Sequence, residues 1–292
     1  MKIGVSSYSF SRYLSNGIMD IFEVIDTAAK IGFAGLEFTD FGPKEAQSDK
    51  IEVAGRVRQR CQDSGIAVMS YTIGADFLKP RNGGVWKDEV ERLKGEADIA
   101  KALGAPVMRH DVTTGTSPEH IGLADFISVL PVLAQGCRAV TEYAAALGIK
   151  TMFENHGFFV QDSERCALLL DEIAHPNMGA LVDMGNFLCA DEDPVMAVTR
   201  IAPRAFHVHA KDFHIKPASA DPGTGWFRSR GGIWLRGAIV GHGNVDVSGC
   251  LKVIKKAGYD GFVSIEFEGL EDNKQALEIG IKNLQNYIAN IN

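Results

Sequence analysis

The sequence predicts a single α/β domain over residues 1–292, a parallel (β/α)8 TIM barrel. Three observations carry this: eight short apolar runs, helical patterns alternating with them, and glycines that repeatedly close a helix just before the next run. The runs are "KIGVSS" (2–7), "GLEFT" (35–39), "IAVMSYT" (66–72), "PVMRH" (106–110), "IKTMFEN" (149–155), "MGALVDM" (178–184), "AFHVHAK" (205–211) and "GFVSIEF" (261–267). Their length and near-continuous apolarity suit strands buried on both faces. Between them lie amphipathic stretches such as "IMDIFEVIDTAAKIGF" (18–33) and "LKVIKKAGY" (251–259). The turns "KIGFAG", "DSGIAV", "ALGAPV", "ALGIKT" and "KAGYDG" put glycine at the helix C-cap, the mark of a helix-to-strand connection. A doubly wound open sheet is the rival, but it usually has fewer strands and a glycine-rich first turn, and "GVSSYSF" is not GxGxxG. One connection, from Asp212 to about Asn244, has no clear periodicity. Its aromatics and arginines predict an ordered flap over the active site, at about 212–244.

Hydrophobic residues make up 46% of the chain and charged residues 23%, ordinary values for a globular domain. The net charge of −7 argues against a nucleic-acid partner, whose backbone demands a basic face. Cys61, Cys137, Cys166, Cys189 and Cys250 form no CxxC pair and read as buried free thiols in a reducing compartment. No apolar leader opens the chain and no uncharged apolar run approaches a membrane span, so the expected location is cytoplasmic, with no membrane partner.

In such a barrel the active face lies at the C-terminal ends of the strands. The last inward residues of strands five to eight are Glu154, Asp183, His209 and Glu266, each ending an apolar run. A single carboxylate there is more often a turn or N-cap residue, but four ligand-type residues on four consecutive strands are not explained that way. Converging carboxylates are costly unless a divalent cation neutralises them. Mostly oxygen donors favour Mn2+, with Mg2+, Co2+, Fe2+ or Zn2+ as substitutes.

Other residues frame this set. His156, two past Glu154, is placed to bond substrate hydroxyls. Asn186 sits between substrate contact and turn residue. Lys211 continues the inward series, for a substrate oxyanion or a carboxylate, with a solvated pair to Asp212 as the alternative. Glu37 and His110 end their strands and could contact polyol hydroxyls, while Arg109 could pair with Glu37. His207 lies one pleat below His209 as a packing residue, and Glu268 is the rival fourth ligand. In the flap, Trp226, Arg228 and Arg236 offer stacking and anion-clamping groups, beside Arg230 and Trp234. "GHGNVD" (241–246) reads as a tight turn into the last helix, with Asp246 near its N-cap.

The segments "GLEFTD", "MFENHG", "LVDMGN", "HVHAKD", "GHGNVD" and "GYDGFVSIEFEG" resemble the xylose isomerase-like TIM-barrel superfamily over essentially the whole chain, closest to its sugar phosphate isomerase/epimerase group. That resemblance implies the same four metal ligands, and makes Glu154 and Glu266 the acid/base pair on either side of the sugar. It implies a small carbohydrate substrate and a homodimer or homotetramer. The implied activity is a divalent-metal-dependent isomerase or epimerase working through an enediolate, with a dehydratase or lyase on an inosose or 3-keto sugar as the alternative. Some epimerase relatives carry histidine where this chain has Asn186. The endonuclease IV branch also has histidine there, and a D-x-H where this chain has Leu235 and Gly237, which argues against DNA repair.

Overall fold

The computed structural model describes residues 1–79, 84–115 and 121–291. Its strands are β1 (Lys2–Ser6), β2 (Gly35–Phe38), β3 (Ala67–Ile73), β4 (Val107–His110), β5 (Lys150–Glu154), β6 (Met178–Asp183), β7 (Ala205–Ala210), β8 (Asp212–Lys216), β9 (Phe227–Arg228), β10 (Trp234–Ala238) and β11 (Phe262–Ile265). The helices are α1 (Ser11–Ser15), α2 (Ile21–Ile31), α3 (Lys50–Asp63), α4 (Trp86–Leu103), α5 (Leu123–Ala146), α6 (Ser163–Ile173), α7 (Pro194–Ile201), α8 (Val247–Lys256) and α9 (Asn273–Ala289). β1 to β7 and β11 close into the parallel barrel that the sequence predicts, each run within a few residues of its expected bounds.

Local chemistry sets the element ends. Asp20 and Glu23 form a reciprocal capping box at the start of α2. The predicted C-cap glycines take left-handed backbone, as at Gly32 (φ 104°) and Gly104 (φ 77°). Glycine also makes room at the barrel floor: a Cβ on Gly35 would lie 2.5 Å from the Met69 side chain, which fills that space. Above the floor, Val107, Met152 and Leu181 pack inside the barrel. The helix-facing alternates, such as Val182, Val208 and Val263, join the main core.

The same alternation corrects the reading of β4. Val107 and Arg109 face the lumen, whereas His110 turns outward, fully buried, with its ring edge-on to Phe77 at 5.8 Å. Its Nδ1–H donates to the Asp111 carbonyl at 2.8 Å. The expected polyol contact from His110 is thus not available.

The segment after β7 is more regular than its sequence suggests. β8, β10 and β9 form a separate antiparallel sheet, so His214 lies on a strand rather than in a loop. Asp212 anchors it: its carboxylate accepts backbone N–H bonds from Phe213 (2.9 Å), Gly241 (2.9 Å), Gly243 (2.8 Å) and Val245 (3.0 Å). A Cβ on Gly243 would fall 2.1 Å from Asp212 Oδ1, so the turn needs glycine for this close approach. "GHGNVD" leads into α8, with Asp246 as its N-cap, but α9 still follows and is the last helix.

The five cysteines are free and buried, and burial pushes the Cys61 thiol up to about 12. α5 has 24 residues and is long and apolar enough to cross a membrane, although Asp125, Arg138 and Glu142 leave no uncharged run of that length in it. Here it packs against α4, α6 and β5 on the barrel surface.

Replacing Asp212 with Ala removes four charge-assisted bonds and should destabilise the fold by about 3–5 kcal/mol, read from denaturant unfolding. An effect under about 1 kcal/mol would contradict the anchoring role. Burial also holds the His110 imidazole down to about 4, against an ordinary 6.5. Between those pH values the unfolded chain binds a proton that the folded chain refuses. Stability from this group is therefore present above the unfolded value and is lost as pH falls toward the folded one. His110→Gln should flatten the stability–pH slope in that window by up to about 1.4 kcal/mol per pH unit, and an unchanged slope would refute the assignment.

Candidate metal centre

Strand ends bring four side chains together. Glu154 ends β5, Asp183 ends β6, His209 is next to last in β7, and Glu266 directly follows β11. All four are buried, and their ligand atoms lie within 4.8 Å of one another. From His209 Nδ1 the distances are 3.6 Å to Asp183 Oδ2, 3.7 Å to Glu266 Oε1 and 3.8 Å to Glu154 Oε1.

The other side of the imidazole decides what Nδ1 can do. His209 Nε2 lies 3.0 Å from both oxygens of Glu37, and His207 Nε2 lies 3.2 Å from Glu37 Oε2 and 2.8 Å from Ser264 Oγ. With its Nε2 proton donated to Glu37, His209 turns Nδ1 to three carboxylates; burial opposes the charge, but Glu37, Glu266 and Asp183 push the imidazole well above its ordinary range, so a cation bound here would take the place of the Nδ1 proton. Nδ1 and Asp183 Oδ2 have no hydrogen-bond partner among the described residues. An imidazole nitrogen facing three carboxylates in a buried pocket fits a divalent cation, held by three oxygens and one nitrogen. Burial pushes Glu37 up, but the charges and bonds of His209 and His207 outweigh it and hold the carboxyl below its ordinary range. Glu37 is fully buried and turned to the two imidazoles, so the substrate contact expected from its place on β2 is not found; this is the arrangement that a carboxylate–histidine–metal site would use.

Two cations balance the carboxylates. Arg109 Nη2 lies 2.6 Å from Glu154 Oε2 and 2.6 Å from Asp111 Oδ1, so it pairs with these and not with Glu37. Lys211 Nζ lies 2.5 Å from Glu266, 3.3 Å from Asp183 and 3.7 Å from Glu268. Of its two predicted roles the carboxylate partner is the one found, while Asp212 is occupied with the flap turn. Asn186 joins the two halves: its Nδ2 donates to Glu154 Oε1 at 2.9 Å and its Oδ1 accepts from Lys211 at 3.1 Å. Burial and then the Glu266 charge push Glu154 up, with Arg109 offsetting part of this. Burial also opposes ionisation of Glu266, yet Lys211 and His209 bring it well below the usual carboxylate range.

Above the four candidate ligands is a cavity of about 300 Å3 lined in part by Tyr8, Thr39, Thr72, His156, Lys211 and Glu268. His156 reaches it with its side chain 49% exposed and its Nδ1 3.1 Å from Asp111 Oδ1. Glu268 lies in the cavity wall, outside the four-ligand group. Trp226, Arg228 and Arg236 do not line the cavity. Arg228 stacks on Trp234 at 3.7 Å, and Trp226 is flanked by Arg236 at 5.3 Å, so these groups satisfy one another on the flap sheet.

Several residues of the site escape a reading by strand ends. Asp111 and Thr39 directly follow β4 and β2, and Tyr8 lies in a 3-10 turn, Ser7–Phe10. Asn155 clamps β5 to β6, accepting from Asp183 N and donating to Asp183 O, both at 2.9 Å. The "EN" pair was a visible cue, since an amide beside a strand-end ligand can bridge to the next strand.

Glu37→Gln should weaken Mn2+ binding by about 10–100-fold in calorimetric titration, because it loosens the imidazole without removing a ligand. Undiminished affinity would take Glu37 out of the positioning role.

The chain matches the family model described as xylose isomerase-like TIM barrel over residues 25–287. The inosose dehydratase of Geobacillus thermodenitrificans is 24% identical over 258 residues, covering 84% of this chain and 81% of that protein. The inosose dehydratase of Clostridium botulinum is 26% identical over 155 residues, 53% of this chain and 52% of that protein, so the chain spans about half the length of this relative. Among solved structures, an L-ribulose 3-epimerase superposes with a TM-score of 0.74 at 17% identity, covering 99% and 94% of the two chains. The IOLI protein, solved with a zinc atom, gives 0.74 at 16% identity over 100% and 99%. These structural likenesses speak for the fold, and the family model extends across both the ligand-bearing strands and the helices that carry them: the chain belongs to the xylose isomerase-like TIM-barrel family.

Proposed function

We propose that this protein is a divalent-cation-dependent enzyme that removes a proton next to a carbonyl of a keto-polyol or keto sugar, with elimination of a neighbouring hydroxyl as the leading outcome. The observation that carries the reading is the convergence of Glu154, Asp183, His209 and Glu266 in one buried cluster around His209 Nδ1, which has no hydrogen-bond partner among the described residues. The proposed cation is Mn2+ first. When bound, it would polarise a carbonyl and stabilise negative charge on the neighbouring oxygens.

The protein groups supply the proton handling. Glu154 and Glu266 stand three strands apart around the barrel rim, so they flank whatever the cavity holds. Lys211 keeps Glu266 ionised at 2.5 Å, the state a general base needs. Burial and the charge of Glu266 press Glu154 toward holding a proton, and environments that push two carboxyls apart divide acid and base roles. Arg109 and Asn186 fix the orientation of Glu154, and His156 reaches the cavity for substrate hydroxyls.

Elimination needs a donor for the departing hydroxyl as well as the base. The Lys211–Glu268 pair beside Glu266 is a further protonatable group in the same wall, and burial pushes Glu268 up. The curated relatives named inosose dehydratases support the same order, which reverses the preference drawn from the sequence. Isomerisation or epimerisation remains the second reading. It is favoured by the Glu154/Glu266 pair, which alone suffices to move a proton from one face or carbon to another, and by the likeness to an L-ribulose 3-epimerase.

The test is a panel of inososes and free and phosphorylated ketoses, assayed with Mn2+ and after chelation. Mass loss of one water marks dehydration, and a new isomer without mass change marks the second reading. Chelation should abolish turnover, and Mn2+ should restore it. Glu154→Gln and Glu266→Gln should each lower kcat by about 100-fold or more while circular dichroism and Tm show an intact barrel. Full activity in either variant would remove that glutamate from proton transfer, and turnover that survives chelation would remove the cation.

A further inference from the structure

The mouth cavity opens beside a second, larger cavity of about 630 Å3, and the two share Tyr8 and Thr39. Their chemistry differs. The mouth is ringed by Arg109, Glu154, Lys211, Glu266 and Glu268, whereas the larger cavity is walled by Tyr8, Leu14, Phe41, Pro43 and Ala46. Each charged group on its lining has one partner, and Asp40 and Lys50 are turned to solvent. Glu45 pairs with Arg56 at 2.5 Å, Asp40 accepts the Gly42 N–H at 2.8 Å, and Lys50 sits 3.6 Å from Glu96. Such a cavity offers little to a charged guest and much to an apolar one.

The divider between the cavities is built firmly. Ser7 Oγ accepts the Thr39 N–H at 2.9 Å and lies 3.1 Å from Thr39 Oγ1. Ser9 Oγ ties the same turn to β11, bonding Ile265 O at 3.1 Å and Phe267 N at 2.9 Å. Phe41 is held by stacking on Tyr71 at 6.1 Å, so the apolar wall is preformed. Tyr8 nevertheless stays 42% exposed, an aromatic face left open where the cavities meet.

We infer that the larger cavity is a subsite for a neutral apolar or aromatic substituent, so that the substrate is a polyol or keto sugar bearing such a group and not a free sugar. The polyol part occupies the mouth, and the substituent passes Tyr8 into the cavity walled by Leu14 and Phe41. This rests on the proposed reading of the mouth as a polyol site.

The test uses the Mn2+-loaded protein and two probes, methyl β-D-glucopyranoside and phenyl β-D-glucopyranoside, with Kd measured by calorimetry. The phenyl probe should bind about tenfold tighter, the gain expected from burying part of one ring. Ser11→Trp and Ala46→Trp, two independent ways to fill the cavity, should cut that advantage to under about twofold and leave the methyl probe unchanged. Tm identifies a variant that fails to fold, and the other then decides. Equal affinities, binding of neither probe, or an advantage that survives in the folded variants would overturn the inference. So would an absent phenyl preference with a change of mass in light scattering, which would assign the cavity to a second copy of the chain. If the substrate panel shows no turnover but the phenyl advantage and its loss both hold, the proposed chemistry fails and the subsite stands. Turnover without any phenyl advantage overturns the subsite alone.

Discussion

The site depends on the bond between Glu37 and His209. A buried imidazole has two nitrogens, and the proton goes where a carboxylate waits for it. Both oxygens of Glu37 stand 3.0 Å from Nε2, so that nitrogen keeps its proton and Nδ1 is the one a cation could take. Nδ1 faces Asp183, Glu154 and Glu266. Without Glu37, the ring could donate to those carboxylates and close the cluster on itself. The bond across the lumen thus makes a patch of buried acid a candidate set of donors for a cation. His207, below, shares Glu37 and braces it through Ser264, so the "HVH" of β7 is one candidate ligand and one support.

Charge is balanced asymmetrically around this centre. Arg109 attends Glu154 on one side and Lys211 attends Glu266 on the other. A guanidinium offers a fixed fork: here Nη2 serves Glu154 and Asp111 while Nη1 donates to the Ile73 carbonyl, which holds the group still. An ammonium is a compact charge that can reach several acceptors, and Lys211 lies near three carboxylates. Asn186 links the two halves through both ends of its amide. A histidine in its place could not donate to Glu154 and accept from Lys211 with the same geometry, so the departure from some epimerase relatives has a local structural consequence.

The flap shows where pattern reading reached its limit. β8, β9 and β10 are short and rich in charged and aromatic residues, so no apolar period announces them. Their arginines and tryptophans are natural candidates for gripping a sugar or an anion. In the fold they stack on one another, because antiparallel pairing sets them side by side. The anchor is Asp212, which turns its carboxylate to four backbone N–H groups and away from its neighbour Lys211.

The barrel was legible in the sequence because eight buried strands and their C-cap glycines are local features, written in consecutive residues. The candidate ligands Glu154, Asp183, His209 and Glu266 were legible for the same reason: each ends an apolar run, and a barrel gathers strand ends at one face. The partners of those residues come from other strands and loops, and only the closed barrel decides them. Whether Glu37 meets substrate or His209, and whether Arg109 or His110 enters the lumen, depends on register and side-chain direction across β2, β4 and β7. The pairing of a charged mouth with an apolar cavity depends on loops after β1 and β2 that are adjacent in space and far apart in sequence. Spacing along a chain carries no record of such contacts, since each is fixed by the packing of the whole.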